Sequence, residues 1–241
     1  MKMKTKNLYT PQEENEMQSV ISLPSLREVQ QRSHSFISLM SYYKCAMMEV
    51  ETKLKVLNEE FSLRFDRNPI SSIQTRLKSP VSIEEKLASK NLPMTIQSIE
   101  KNLNDIAGVR VICSFLDDIY LLAECLLGQD DITLIEQKDY IAHPKPNGYR
   151  SLHLIVQIPI YLQAGKRNMR VEIQLRTIAM DCWATLEHQL RYKKDITDTT
   201  QITTELQYCA LLSAELDARM DHLRQQIIDE SDHQRRSDIG L

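Results

Sequence analysis

The sequence is poor in glycine. Only 5 of the 241 residues are glycine, and neither a GxGxxG nor a GxxxxGK[ST] phosphate-binding loop occurs. Multi-glycine phosphate loops are therefore excluded, and any bound nucleotide must be held in another way.

Cysteine pairs and long apolar runs are also lacking. The 5 cysteines are widely spaced without a CxxC pair, and an odd count without a secretory signal predicts a reducing compartment. The basic N-terminal segment lacks the apolar region of a signal peptide. No window approaches the roughly 18 apolar residues of a membrane-spanning helix. We therefore expect a cytoplasmic protein.

Charge is unevenly distributed. The net charge is −3, yet the segment from Lys138 to Arg176 holds seven basic residues and only two acidic ones. A basic segment in an acidic chain suits a small anionic ligand better than broad duplex binding. A solvated charged face is the alternative interpretation.

Apolar periodicity predicts a long first helix. From Phe36 to Phe61 apolar residues recur at alternating steps of four and three, which indicates a helix packed on its own domain and could also serve a helix–helix seam between subunits. Asn68-Pro69 should end this helix. An extended piece over 70–78 follows, and a capping box places the next helix start near Ser82.

The remaining chain alternates between strand and helix patterns. A further helical segment follows Pro93 and ends before Gly108, and Asp117 is expected to cap a helix that Gly128 closes at C′. The predicted strands are 109–115, 132–136, 152–160 and 169–176, and the helices are 119–127, 178–192 and about 203–228. A turn over 163–166 should join the last two strands as an antiparallel hairpin.

These elements predict an α/β (α+β) fold: a mixed β-sheet of four to five strands flanked by helices, with long N- and C-terminal helices. We expect a flexible tail over 1–22, a single domain over 23–230 and a flexible C-terminus over 231–241.

One strand carries a polar face suited to chemistry. In Met169–Arg176, side chains alternate, so Glu172, Gln174 and Arg176 point the same way. The preceding strand and loop add an aromatic ring, cations and an imidazole: Lys145, Asn147, Tyr149 and His153. Rings stack on bases, cations hold phosphates, and a carboxylate can hold Mg²⁺ or accept a proton. A polar strand face often simply faces water, which remains the alternative.

A second group of candidates lies upstream. Asp105 precedes the Val109–Phe115 strand, and cations surround it in sequence: Arg76, Lys78, Lys86 and Arg110. Taken alone, Asp105 is more typical of a helix end or turn. Spacing cannot show that it meets Glu172.

Several long motifs occur in order. They are RLKSP at 76–80, IEEKL at 83–87, NDIAGVR at 104–110, KDYI at 138–141, PKPNGYRSLH at 144–153 and VEIQLRT at 171–177, followed by AM at 179–180, WA at 183–184 and EH at 187–188. Together they resemble the motifs of the RelA/SpoT alarmone synthetases, particularly the small, single-domain RelQ type.

The resemblance implies a (p)ppGpp synthetase that transfers pyrophosphate from ATP to the 3′-hydroxyl of GDP or GTP and releases AMP. Asp105 and Glu172 would bind Mg²⁺, and Glu172 would deprotonate the hydroxyl. The implied ATP-binding residues are Arg76, Lys78, Lys86, Arg110 and Arg176. The implied guanine-nucleotide-binding residues are Lys138, Lys145, Asn147, Tyr149, His153 and Gln174.

The family likeness leaves other points open. The acceptor preference, including GMP, is undecided, and related enzymes that act on tRNA or adenine nucleotides are an alternative, as is a guanine-nucleotide or single-stranded RNA binding protein. Relatives suggest a homotetramer with a regulatory cleft for pppGpp. Asp181, which replaces an Asn often found there, lies in that neighbourhood.

Overall fold

The computed structural model describes residues 26–65, 67–192 and 199–238. Its elements in chain order are α1 (Leu26–Phe65), β1 (Ile70–Leu77), α2 (Pro80–Ser89), α3 (Ile96–Asn102), β2 (Ala107–Cys113), α4 (Leu116–Leu127), β3 (Thr133–Asp139), β4 (Leu152–Leu162), β5 (Gly165–Thr177), α5 (Ile178–Tyr192) and α6 (Thr199–Asp238). Within these ranges no helix is both long and apolar enough to cross a membrane. The expected tail over 1–22 lies outside them.

The chain divides into two compact units, Met1–Ser38 and Leu39–Leu241. Of the first unit, the structure describes the start of α1 from Leu26. The second contains the whole sheet and the other helices. The single domain expected over 23–230 stays a prediction, and the compact unit from Leu39 onward covers most of it.

The sheet confirms the predicted mixed fold. Its five strands lie in the order β1-β2-β5-β4-β3. The central β2–β5 pair is parallel, whereas the outer pairs are antiparallel. The extended piece over 70–78 is thus an edge strand, paired with β2 from Ile70 to Leu77 with one irregularity between Ile70 and Ser72. Parallel neighbours need a long crossover, and α4 with the β3–β4 hairpin supplies it.

Alternation along the central strands separates a buried face from a polar one. In β2 and β5 the buried positions include Val109, Val111, Val171 and Ile173, while the residues between them are only half-buried. Successive side chains point to opposite faces, so the core covers one face and leaves the other for polar groups.

Helix α1 packs within its own chain. From Tyr43 to Phe61 the predicted stripe is buried, which confirms the intrachain interpretation over a subunit seam. Leu39 and Ala46 are also buried, and Met40 is only half-buried. The buried positions from Tyr43 to Phe61 keep the alternating steps of four and three, so the predicted stripe is the buried face of this helix.

Two helix starts differ from the sequence-based expectation. Helix α2 begins at Pro80, with Ser79 as its cap and the Ser79 side chain accepting from the Ser82 amide at 3.2 Å. Proline at the first helical position explains this, since its missing N–H is not needed there. At the N-terminus of α4, the hydrogen bond is made by Asp118 rather than Asp117: the Asp118 carboxylate accepts from the Phe115 amide at 3.2 Å.

The end of α4, the β4–β5 turn and the end of α6 also differ in detail from the sequence-based expectation. Gly128 closes α4 after Leu127 as expected, with φ −73° in place of the left-handed conformation that glycine often adopts there. The β4–β5 turn is shorter than expected, because Leu162 pairs with Gly165 and leaves two residues between the strands. Helix α6 runs to Asp238, into the segment expected to be flexible.

Candidate active site

Two rows of side chains cross the polar face of the sheet. Residues paired across strands lie on the same face, so the register fixes each row. One row runs Gln74, Arg110, Gln174, His153 and Lys138, and the next runs Arg76, Gly108, Glu172, Ile155 and Glu136. Candidates from distant parts of the sequence are therefore neighbours.

A cleft of about 540 Å³ opens over these rows. Its lining includes six of the sequence-predicted residues: Arg76, Lys78, Asp105, Arg110, Glu172 and Gln174. Gly108 lies between Arg76 and Glu172 in its row. With no side chain there, the floor of the cleft stays open between a cation and a carboxylate.

Asp105 is held by two lysines. Its Oδ2 accepts from Lys78 Nζ at 2.8 Å and from Lys86 Nζ at 2.5 Å. Burial raises the pKa of Asp105, but the hydrogen bonds and charges of Lys78 and Lys86 outweigh it, so the pKa lies below its ordinary value. Asp105 is therefore a carboxylate at neutral pH. Its Oδ1 is buried and has no hydrogen-bond partner.

Glu172 is anchored from both sides. Its Oε1 lies 3.3 Å from His153 Nδ1, and its Oε2 accepts from Gln174 Nε2 at 3.1 Å. Burial raises the pKa of Glu172, and the contacts with His153 and Gln174 lower it by more. The negative charge of Asp105 also raises this pKa, but to a smaller extent. The net pKa lies below the ordinary value, so Glu172 is also ionised and can accept a proton.

Glu172 belongs to a closed ring of polar contacts with Gln174, Arg176, Tyr149 and His153. Arg176 Nη2 donates to Tyr149 Oη at 2.7 Å and to Gln174 Oε1 at 3.1 Å. Tyr149 Oη lies 2.7 Å from His153 Nε2. The two nitrogens of His153 thus face different groups, Nδ1 facing Glu172 and Nε2 facing the Tyr149 hydroxyl. The ring thereby fixes the orientation of the carboxylate.

Aromatic rings cluster beside this ring of polar contacts. Tyr140 meets Tyr149 and His153 edge-on, with centroids 6.0 and 5.3 Å apart. Lys145 Nζ lies 4.5 Å from the Tyr140 centroid and 4.8 Å from that of Tyr149. A cation over aromatic faces makes this corner suitable for a base with attached phosphates.

The remaining candidates lie at the margin. Lys138 is on β3 and pairs with Glu136 at 3.1 Å. Asn147 faces the loop: its Oδ1 accepts from the Tyr149 amide at 3.2 Å and its Nδ2 donates to Glu187 at 3.3 Å. In this structure Asn147 supports the loop that carries Tyr149.

Two site residues were missed as candidates. Tyr140 belongs to the aromatic corner, and Asp181 Oδ1 contacts both Arg110 Nη1 at 3.3 Å and Arg176 Nη1 at 3.0 Å. Tyr140 lies within the KDYI motif, and Asp181 directly follows the AM motif. Their position in these motifs is the signal that could have identified them. The spacing of polar residues could not identify them, because neither residue lies on the strand whose alternation predicted the polar face.

The donor set fits a hard divalent cation. Two ionised carboxylates share one cleft, and the buried Asp105 Oδ1 is unpartnered. Across the described residues no cluster of three or more His, Cys, Asp or Glu could hold a metal by itself. A cation here would therefore need oxygen ligands from a substrate, as Mg²⁺ commonly does at polyphosphate sites.

Carboxylates flanked by lysines and arginines on the open face of a mixed sheet define a class: an enzyme that acts on nucleoside polyphosphates. Comparison with known proteins agrees. A family model described as "Region found in RelA / SpoT proteins" matches residues 75–197.

Relatives match over most of their length. The GTP pyrophosphokinase YwaC of Bacillus subtilis is 41% identical over 185 residues, which cover 77% of this chain and 88% of YwaC. YjbM from the same organism, also a GTP pyrophosphokinase, is 38% identical, with 77% and 86% covered. The crystal structure of small alarmone synthetase 1 from Bacillus subtilis bound to its product pppGpp superposes with a TM-score of 0.73 at 36% identity, covering 80% of this chain and 98% of that one. The chain belongs to the RelA/SpoT family.

Proposed function

We propose that this enzyme is a (p)ppGpp synthetase, which transfers pyrophosphate from ATP to the 3′-hydroxyl of GDP or GTP and releases AMP. The observation that carries the proposal is a single cleft that joins Asp105 and Glu172 to Arg76, Lys78 and Arg110. It occurs in a chain whose relatives are GTP pyrophosphokinases. GMP is a further possible acceptor. Acceptors such as tRNA or adenine nucleotides, and a purely nucleotide- or RNA-binding role, are not favoured.

ATP is assigned to the β1–β2 side of the cleft. Arg76 and Arg110 lie on adjacent strands and the same face, so their guanidinium groups can sandwich the adenine. Lys78, Lys86 and Arg176 are assigned to the phosphates. Neither Lys86 nor Arg176 belongs to the cleft lining. Their assignment depends on their bonds to Asp105 and Gln174.

The acceptor nucleotide is assigned to the β4–β5 side. Tyr149 would stack on the guanine, with Tyr140 edge-on to it. The polar contacts would come from Lys138, Lys145, His153 and Gln174, while Asn147 would contribute by supporting the loop that carries Tyr149. This assignment puts the 3′-hydroxyl beside Glu172, between the two nucleotides.

In the reaction, Glu172 accepts the proton of the 3′-hydroxyl while the 3′-oxygen forms a bond to the β-phosphorus of ATP. The bond from that phosphorus to the oxygen bridging it to the α-phosphorus breaks, and AMP leaves with the oxygen. His153 and Gln174 hold the carboxylate in place for the proton. Catalysis of this kind depends on positioning and on charge neutralisation.

Mg²⁺ is the proposed cofactor. Asp105 and Glu172 would hold it, and it would neutralise charge on the phosphate oxygens as the transferred group moves. The two carboxylates and the unpartnered Asp105 Oδ1 support this choice, because Mg²⁺ prefers oxygen ligands.

Assembly as a homotetramer is also proposed. Helix α6 exposes a row of large apolar side chains: Leu211, Leu212, Leu216, Met220, Leu223 and Ile227. A lone chain seldom leaves such a patch uncovered. We also propose that pppGpp or single-stranded RNA binds as a regulator. The proposed site of action is the cytoplasm, where the nucleotide substrates are.

Product analysis tests the proposed function. Purified protein with ATP, Mg²⁺ and each of GMP, GDP or GTP should yield AMP and the matching 3′-pyrophosphorylated nucleotide. Glu172→Gln keeps the shape but removes the base, so turnover should fall by about 10³-fold or more. Glu215→Gln, which removes one exposed charge on α6, is the matched control and should stay near wild type. Absence of AMP with all three acceptors would refute the proposal.

A further inference from the structure

One carboxylate bridges two arginines at the edge of the cleft. Asp181 lies in the first turn of α5, directly after β5. Its Oδ1 is 3.3 Å from Arg110 Nη1 and 3.0 Å from Arg176 Nη1. Among the residues that the structure describes, no other carboxylate lies within 4.0 Å of either guanidinium group.

The two guanidinium groups need this counter-ion. Arg176 is only 4% exposed, and its charge contributes, after burial, to lowering the pKa of Arg110. The charge of Asp181 acts in the opposite direction. Two like charges at a site that is largely withdrawn from water repel each other, and a shared anion offsets the repulsion. The negative charge of Asp181 therefore offsets the repulsion between Arg110 and Arg176 and allows the two guanidinium groups to lie close together.

The two arginines differ in how firmly they are held. Arg176 has other anchors, because its Nη2 donates to Tyr149 and Gln174. For Arg110, whose side chain is 35% exposed, the bridge to Asp181 is the ion pair that the structure records, and its Nε has no hydrogen-bond partner. Without the carboxylate, repulsion from the fixed Arg176 would push Arg110 outward.

We propose that Asp181 is a positioning residue for ATP, and that its bridge to Arg110 and Arg176 sets Arg110 in the orientation that binds the donor nucleotide. The inference rests on the proposed function for the assignment of ATP to Arg110. Asp181 acts through Arg110 and does not touch the reacting atoms. On the acceptor side, Tyr149 and Gln174 keep their hydrogen bonds from Arg176 Nη2, which do not involve Asp181.

The expected effect is selective. Asp181→Asn keeps the side-chain shape but loses the charge, so the dissociation constant for ATP should rise about tenfold, as for loss of one hydrogen bond to a charged group. The dissociation constant for GDP should change by less than about twofold. A residue that only supported the fold would weaken both nucleotides together.

Equilibrium binding tests the inference without turnover. ATP, in the absence of acceptor, and GDP are each titrated into wild type, Asp181→Asn and the control Glu215→Gln. The same Asp181→Asn change is then made in an Arg110→Ala background, where its effect on ATP should shrink below about twofold. Unchanged or tighter ATP binding, equal weakening of GDP, or an undiminished effect without Arg110 would each overturn the inference.

Two further outcomes keep the inference separate from the proposed function. If Asp181→Asn does not fold, Asp181→Glu, which keeps the charge and moves it by one methylene, must still weaken ATP selectively. A wild type that binds ATP but releases no AMP with GMP, GDP or GTP refutes the proposed function, and the binding comparison still decides the role of Asp181. A wild type that binds no ATP refutes both.

Discussion

Gly148 lies in the loop between β3 and β4, against helix α6, and adding one methyl group there should be costly. Gly148 has φ +90°, and a Cβ at this position would lie 2.4 Å from the Cβ of Ala210. Both atoms belong to backbone-fixed positions, so neither can rotate away. The neighbouring Tyr149 packs on the cluster of Trp183, Ala184 and Ala210, so a shift of the loop also moves the proposed guanine-stacking ring.

The magnitude has two parts. A positive φ costs an alanine about 1–2 kcal/mol, and overpacking a well-filled contact costs about 1–3 kcal/mol. Gly148→Ala should therefore lower the free energy of unfolding by about 2–5 kcal/mol. Gly165→Ala is the matched control: Gly165 has φ +118° but nothing within 4 Å of an added Cβ. It should lose only the conformational part.

Chemical denaturation of the single and double variants is the assay. Ala210→Gly removes the atom that a new Cβ would strike, so the double variant Gly148→Ala/Ala210→Gly should be more stable than the sum of the single changes by about 1–3 kcal/mol. Binding of GDP should weaken in Gly148→Ala more than binding of ATP. If Gly148→Ala is no more destabilising than Gly165→Ala, or if Ala210→Gly gives no rescue, the steric reasoning is wrong.

Two other predictions concern charge. The pKa values of Asp105 and Glu172 are lowered in the folded state, so the stability they contribute is present above their unfolded pKa of about 4 and is lost as pH falls through the folded values. The free energy of unfolding should therefore drop more steeply on acidification in wild type than in Glu172→Gln, and equal slopes would contradict this. Asp118 is 0% exposed and forms ion pairs with Arg67 and Arg224, so Asp118→Asn should lower the free energy of unfolding by about 3 kcal/mol. Asp117→Asn, the exposed neighbour that also pairs with Arg224, should change it by less than about 1 kcal/mol, and similar losses at both positions would refute the assigned role of burial.

Local patterns predicted the central elements well because those patterns are local in origin. Alternation in Met169–Arg176 reflects a strand with one buried face, and the structure gives Glu172 and Gln174 the shared face that this implies. Helix α5 has the predicted bounds, 178–192. Errors concentrated at helix ends, such as Ser82 and Asp117, where several nearby polar side chains compete to bind the same few amides.

Contacts between distant segments could not be read from spacing. The resemblance to RelA/SpoT synthetases supplied the partnership of Asp105 with Glu172, but nothing in the one-dimensional pattern gave Lys78 and Lys86 as the partners of Asp105. Asp181 is the clearest example, because the sequence suggested it only for the neighbourhood of a regulatory cleft, whereas it contacts Arg110 and Arg176. It lies on a helix, outside every alternating strand, and becomes a site residue only because α5 starts beside β2 and β5.

By itself, the sequence determined the order of the elements, the buried and polar faces of β2 and β5, and the family, because periodicity and motif order are properties of the chain. Only the tertiary structure decided which polar residues meet. The parallel pairing of β2 with β5 brings Gly108 beside Glu172, leaves the floor of the cleft open there, and lets one carboxylate of α5 bridge two arginines. Strand register is a choice among many pairings of similar local quality, and it is settled by burial of the whole apolar face at once.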